Sequence, residues 1–330
     1  MLSAKDDLLH DPGTERLFTE TNWFGFINVE QEEVSFGVYV GFKPNLGLCY
    51  SWIAAFRGFH PHHASIEYFD RRQFMPVPTV TESGYELDNG LRVEFVEPLE
   101  KFHITYSDAA RNFAIDVEWS AICPPSEWAK SGHFDHFGHV TGTLTLDDQT
   151  YPVDTFAQRD HSWSVRGDES LPAVPPKPFA WVWGAFSENF AFQSAANWTL
   201  TTDAGGSDTH SGTPVHAGGG EQASWLWDGE KIDYTTEVNF EITKWEGSLR
   251  PTAARIAFRT ESGKSYSFDG KVVSAALIPN SFNFSTLVCQ VHWRDEDGNA
   301  GIGDFHLSIT PANYAGAGVI APDQTPPVRR

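Results

Sequence analysis

The run Gln158-Arg159-Asp160-His161-Ser162-Trp163-Ser164-Val165-Arg166 holds the densest set of reactive and aromatic side chains in the sequence. The ordinary pKa of imidazole lies nearest neutrality, so His161 can both give and accept a proton, and a charged neighbour can tune it. On a regular strand Arg159, His161 and Trp163 share one face while Gln158, Asp160 and Ser162 share the other. One face then combines a guanidinium, an imidazole and an indole. Direct pairing of Asp160 with His161 needs a bulge or twist, which leaves Arg159 as the nearer same-face partner. The competing interpretation is structural, with Arg159 and Asp160 in ion pairs to neighbouring strands and His161 a satisfied core histidine.

Indoles gather downstream. Trp181 and Trp183 alternate on one strand face, Trp198 follows, and Trp225 with Trp227 repeats the spacing. An indole wall can hold a flat apolar ligand or face a developing carbocation; each ring can equally fill a barrel interior. His60, His62 and His63 sit together, and His133, His136 and His139 recur every three residues, but on a strand His136 faces away from the other two. Metal ligands must converge at about 2 Å, so no metal site is expected, and His103 and His133 are read as additions to a pocket. Asp116 and Glu118 share a strand face, where paired carboxylates are usually solvated. The sequence contains no G-x-S-x-G elbow, no Walker-type loop and no dinucleotide fingerprint.

Strands must position these groups. Runs rich in Val, Phe, Thr, Tyr and Trp alternate with Gly, Asp, Asn and Pro clusters and helical spacing is scarce, which predicts an all-β fold. The clearest hairpin lies within 139–163, turning at Asp147-Asp148-Gln149; others pair 91–96 with 102–106, 232–242 with 254–259, and 284–293 with 303–309. So many antiparallel strands must close into barrels or pack face to face. The Pro-rich stretch 170–178 cannot supply a ladder, so two domains are expected, over 1–169 and 170–330. Lys and Arg number 23 against 44 Asp and Glu, and the net charge of −21 repels phosphate backbones and anionic lipid. Nucleic acid is therefore not an expected partner. Cys49, Cys123 and Cys289 have no C-x-x-C spacing, charges interrupt the first ten residues, and no run of about 20 apolar residues occurs. A soluble, cytoplasmic protein with no integral membrane association is expected.

The segment Thr155 to Trp163, preceded by Gly138-His139-Val140-Thr141-Gly142, resembles the signature of bacterial proteins related to the carotenoid 1,2-hydratase and AttH families. Pro98-Leu99, Asp116-Val117-Glu118-Trp119 and Phe179-Ala180-Trp181-Val182-Trp183 resemble that group as well, so the similarity spans roughly residues 23–192. The resemblance implies two lipocalin-like β domains enclosing a hydrophobic cleft, in a superfamily of hydratases, cyclising enzymes and pericyclases that generally need no redox cofactor. It also implies that His161-Ser162-Trp163 matches a His-x-Trp pair associated with alkene protonation. Where the family has a Tyr-x-Asp, this chain has Phe186-Ser187-Glu188, which makes Glu188 a candidate acid. The expected function is acid–base hydration, dehydration, isomerisation or cyclisation of a hydrophobic terpenoid, steroid or aromatic substrate, without a cofactor. His161, Asp160, Arg159 and Glu188 are the catalytic candidates, and Trp163, Trp181, Trp183, Trp198, His103 and Trp119 the substrate-binding ones. A non-catalytic carrier of a hydrophobic ligand and an acidic interaction scaffold are the alternatives.

Overall fold

The computed structural model describes residues 2–28, 33–128, 132–166, 179–198, 210–214, 224–246, 250–281 and 284–309. The chain is all-β, with 71% of the described residues in strands and 5% in helix. Twelve strands precede the Pro-rich stretch: Phe18–Asn28 (β1), Val34–Lys43 (β2), Leu48–Phe56 (β3), Phe59–His60 (β4), Tyr68–Pro76 (β5), Gly84–Glu86 (β6), Arg92–Glu97 (β7), Lys101–Asp108 (β8), Phe113–Ala121 (β9), Ser126–Trp128 (β10), His133–Leu146 (β11) and Gln149–Val165 (β12). Nine follow it: Phe179–Ser187 (β13), Phe190–Trp198 (β14), His210–Pro214 (β15), Trp225–Trp227 (β16), Ile232–Glu246 (β17), Arg250–Thr260 (β18), Ser265–Ser281 (β19), Phe284–Asp295 (β20) and Ala300–Ile309 (β21).

The first group forms a curled sheet in the order β5-β3-β2-β1-β12-β11-β9-β8-β7-β6, with β10 beside β11. In the second, β13 bonds to both β21 and β14, which closes a ring of eight strands, β13-β21-β20-β19-β18-β17-β15-β14. Closure hides the edges that so many short antiparallel strands would otherwise expose. This is a two-domain, lipocalin-like β architecture. The four hairpins expected from the sequence pair as β11–β12, β7–β8, β17–β18 and β20–β21. Asp147 and Asp148 both adopt positive φ, the two-residue turn whose twist matches the flanking strands. The expected division at 169/170 falls within 167–178, outside the described residues.

Alternation gives each sheet an apolar interior. Phe24, Phe102, Val117, Trp119, Val140, Tyr151 and Val153 belong to the core of the first, and Val182, Phe192, Ile256, Phe268, Leu287 and Phe305 to that of the second. The outer faces of the two sheets pack on each other through Trp23, Trp52, Ala276, Ile278 and Val288, and through Phe137, Trp183 and Trp225. Trp23 lies flat across β1 and β2, where a Cβ at Gly25 or Gly37 would collide with its indole. Ser35 Oγ of β2 meets Ser274 Oγ of β19 at 2.5 Å, and β4 pairs in parallel with β19. No described helix is long and apolar enough to cross a membrane.

Candidate functional site

β12 lies between β1 and β11, and its pleat splits the reactive run between two environments. Arg159, His161 and Trp163 turn into the curled sheet, while Gln158 and Asp160 turn toward the barrel.

On the inner face, His161 is only 1% exposed and directs Nε2 at Glu20 Oε1, 2.7 Å away. Its Nδ1 has no hydrogen-bond partner among the described residues. Glu20 also receives His10 Nδ1 on Oε1 at 2.8 Å and the His10 backbone N–H on Oε2 at 2.9 Å. Burial pushes the Glu20 carboxyl upward, but the bonds from His10 and His161 outweigh it and hold the group below the usual carboxylate range. His10 stacks on Trp163 with centroids 3.8 Å apart, and the His161 ring stands edge-on to both. Arg159 is taken up elsewhere. Its guanidinium donates to Asp7 Oδ1 at 2.6 Å and lies among the rings of Phe102, Phe134, Trp119 and Phe24. Trp119 packs in the same interior, edge-on to Phe102 and His136.

His136 points inward as well, with Nε2 2.6 Å from the Cys123 carbonyl. Burial and the Arg159 charge push its pKa down to about 3, against an ordinary 6.5. As pH falls from about 6.5 towards about 3, the unfolded chain takes up a proton that the folded state refuses, so this group costs up to about 1.4 kcal/mol of stability per pH unit. His136→Phe is expected to flatten the acid limb of unfolding free energy against pH by about one proton, measured by urea titration. An unchanged slope would show that His136 does not carry it.

The outer face is polar where it meets the barrel. Asp135, fully buried on β11, accepts from Gln158 Nε2 at 3.0 Å and lies 3.2 Å from His133 Nε2. Burial lowers the His133 pKa, but Asp135 overcomes this and the net shift is upward. Asp160 faces Asp135 across the ladder and Trp23 on its other side. Burial raises its pKa, His133 opposes, Asp135 adds, and Arg166 and His306 oppose. No hydrogen bond to its carboxyl is present among the described residues. Where the two sheets meet, the Trp181 ring lies edge-on to His133 and His306 edge-on to Trp23, at 5.2 and 5.1 Å.

Register on the barrel aligns Ser274, Gln290, Asp304, Trp183, Gln193 and Trp225 as successive cross-strand neighbours. All six are buried. Within that row Gln193 Oε1 and Nε2, Gln290 Oε1, both Asp304 oxygens, and Nε1 of Trp183 and Trp225 have no hydrogen-bond partner among the described residues, nor does Gln158 Oε1 opposite. Asp304 Oδ2 approaches His306 Nε2 at 3.3 Å without hydrogen-bond geometry. A buried polar atom left unpaired costs about 1–3 kcal/mol, so such a row is expensive to maintain for stability alone.

The remaining sequence candidates are dispersed. His103 is on the outside of β8, with Nε2 2.7 Å from Asp116 Oδ1, and Glu118 pairs there with Lys101. Glu188 is exposed in the turn between β13 and β14, where its backbone carbonyl accepts Trp227 Nε1. The Trp198 side chain lies outside the described residues. His60 and His62 bond locally around the turn His63–Ser65, and His139 meets Asp154, so neither histidine grouping converges. Two surface concavities of about 590 and 380 Å3, lined by residues such as Tyr266 and Arg259 and by Asp116 and Thr141, include neither Asp160 nor His161. Sequence reasoning missed Glu20, His10, Asp7, Gln193, Gln290 and Asp304. Glu20 did leave a signal: it stands at an interior parity position between Phe18 and Phe24.

Several solved structures share this fold. A protein named for AttH from Nitrosomonas europaea superposes with a TM-score of 0.61 at 12% identity, over 92% of this chain and 95% of that one. CghA gives 0.54 at 13% identity, over 92% and 93%. Kievitone hydratase from Nectria haematococca gives 0.52 at 9% identity, over 88% and 89%. The carotenoid hydratase-like fold that the Arg-Asp-His-Ser-Trp run suggested is thus the fold observed. No curated protein sequence matches the chain. Residues 3–311 match the model of the family described as Domain of unknown function (DUF7064), and the chain belongs to that family.

Proposed function

We propose that this chain is an acid–base enzyme that binds a hydrophobic small molecule between the curled sheet and the barrel and hydrates, isomerises or cyclises it. The observation that carries the proposal is the row of buried, unpartnered polar atoms from Gln290 through Asp304 and Trp183 to Gln193 and Trp225, facing Gln158 and Asp160. Such groups are retained where a ligand uses them. Fold kinship with a kievitone hydratase is in keeping with this.

Asp160, on the side of β12 that faces the barrel, is the proton carrier in this scheme, in place of His161 on the other side. The Asp160 carboxyl passes its proton to one carbon of a C=C bond, and the indoles of Trp181 and Trp183 face the cation that forms. Water then bonds to the cationic carbon and returns a proton to the Asp160 carboxylate, so that alkene plus water gives an alcohol. Loss of a neighbouring C–H proton to Asp160 instead gives an isomer, and attack by a second C=C closes a ring and moves the charge to a new carbon, whose neighbouring C–H proton then passes to Asp160 to give a neutral cyclic alkene. The His133–Asp135 pair holds the adjoining charge. Arg159, Trp163 and Trp119 lie inside the curled sheet, on the other side of β12, and with Glu188 and His103 they lie outside this scheme. The three buried, unpaired cysteines accord with a reducing cytoplasm, and the 1–169 and 170–330 division supplies the two walls.

The test is incubation in D2O with a panel of unsaturated terpenoid, steroid and aromatic compounds, followed by mass spectrometry. Deuterium is expected at carbon, and Asp160→Asn is expected to slow its appearance by roughly 100-fold or more with ligand retention intact. Retention without any exchange in the unaltered chain would assign a carrier instead.

A further inference from the structure

His10, Glu20 and His161 come from three separate parts of the chain: the N-terminal segment, β1 and β12. Their ligand-type atoms, two imidazole nitrogens and one carboxylate oxygen, all lie within 4.8 Å of one another. Two imidazoles and one carboxylate are a donor set that suits zinc, which binds such atoms at about 2.0–2.2 Å and keeps further positions for water.

We propose that His10 Nδ1, Glu20 Oε1 and His161 Nε2 form a zinc site that pins the N-terminal segment to the curled sheet. Four features of the surroundings support it. Glu20 is fully buried and His161 nearly so, whereas the His10 side chain is 21% exposed, so an ion reaches the site from the His10 side and keeps water there. Asp6 Oδ1 lies 3.5 Å from His10 Nε2, the outer carboxylate that favours the Nδ1-ligating tautomer of a metal-bound histidine. Glu20 Oε2 is fixed by the His10 backbone N–H, leaving Oε1 for the ion. The stack of Trp163 on His10 orients the ring. His10 and His161 now meet Oε1 at 2.8 and 2.7 Å, and tetrahedral zinc needs ligand atoms about 3.3 Å apart, an opening of roughly half an ångström. His10 can supply it because it lies outside any strand. On binding, the proton on each ligating nitrogen moves to the other ring nitrogen or leaves to solvent. This site is on the opposite side of β12 from Asp160, so it stands independently of the proposed reaction.

The experiment titrates the metal-stripped full chain with ZnCl2 by calorimetry and records thermal unfolding with Zn2+ and with EDTA. One high-affinity Zn2+ per chain is expected, with a rise in Tm. His10→Asn keeps an N–H aimed at Glu20 but is a poor ligand; it is expected to match the unaltered chain in EDTA, to weaken Zn2+ binding roughly 100-fold and to lose the Tm rise. Glu20→Gln is expected to weaken binding to a similar degree, and His62→Ala/His63→Ala to leave it unchanged. Absence of tight binding to the unaltered chain, or equal binding to His10→Asn, overturns the proposal.

Discussion

Asp7→Ala is expected to lower the unfolding free energy by about 3–5 kcal/mol. Asp7 and Arg159 form an ion pair at 2.6 Å with both side chains about 1% exposed. The second Asp7 oxygen accepts the Leu99 backbone N–H. Removing the carboxylate strands a guanidinium among Phe24, Phe102, Trp119 and Phe134, where ring faces recover only a fraction of the lost charge interaction. The double replacement Asp7→Ala/Arg159→Met removes both charges together, and a cost smaller than that of Asp7→Ala alone is expected. Urea titrations of the two variants check this. A loss below about 1 kcal/mol for Asp7→Ala would show that water reaches Arg159 and that the pair behaves as a surface bridge. The consequence extends beyond stability, because Asp7 ends the 3-10 turn Ala4–Asp7 and is followed by Leu8 and Leu9, which pack against the core of the curled sheet. The pair therefore fastens the N-terminal segment over that interior, and limited proteolysis of Asp7→Ala is expected to release it first.

Gln193→Met is expected to act in the opposite direction on stability while removing ligand retention. Both polar atoms of the buried Gln193 amide lack partners among the described residues, and it lies between Trp183 and Trp225 in the cross-strand row. A side chain of similar length without the amide removes that unpaired cost, so a gain of about 1–3 kcal/mol is expected in urea titration. The same change deletes two groups that face the proposed substrate, and retention of any small molecule that copurifies with the chain, read by native mass spectrometry, is expected to fall. A destabilised Gln193→Met chain that still retains its ligand would mean that the amide is a structural element satisfied in solution. Opposed signs of the two effects distinguish a residue kept for binding from one kept for folding.

The sequence determined what pleating determines. A strand alternates whatever lies beside it, so the separation of Arg159, His161 and Trp163 from Gln158, Asp160 and Ser162, the shared face of Trp181 and Trp183, and the Asp147-Asp148 turn were all legible from spacing. So was the all-β class, because period-two patterning between turn residues excludes long helices. Only the tertiary structure decided the partners. Glu20 reaches His161 across 141 positions and Asp7 reaches Arg159 across 152, because β1 and the N-terminal turn happen to be the neighbours of β12, and ladder order is a property of chain closure that no local pattern encodes. The same holds for the polar row of Gln290, Asp304 and Gln193, whose members read singly as ordinary strand residues and acquire meaning only when β20, β21, β13 and β14 are laid side by side against the curled sheet.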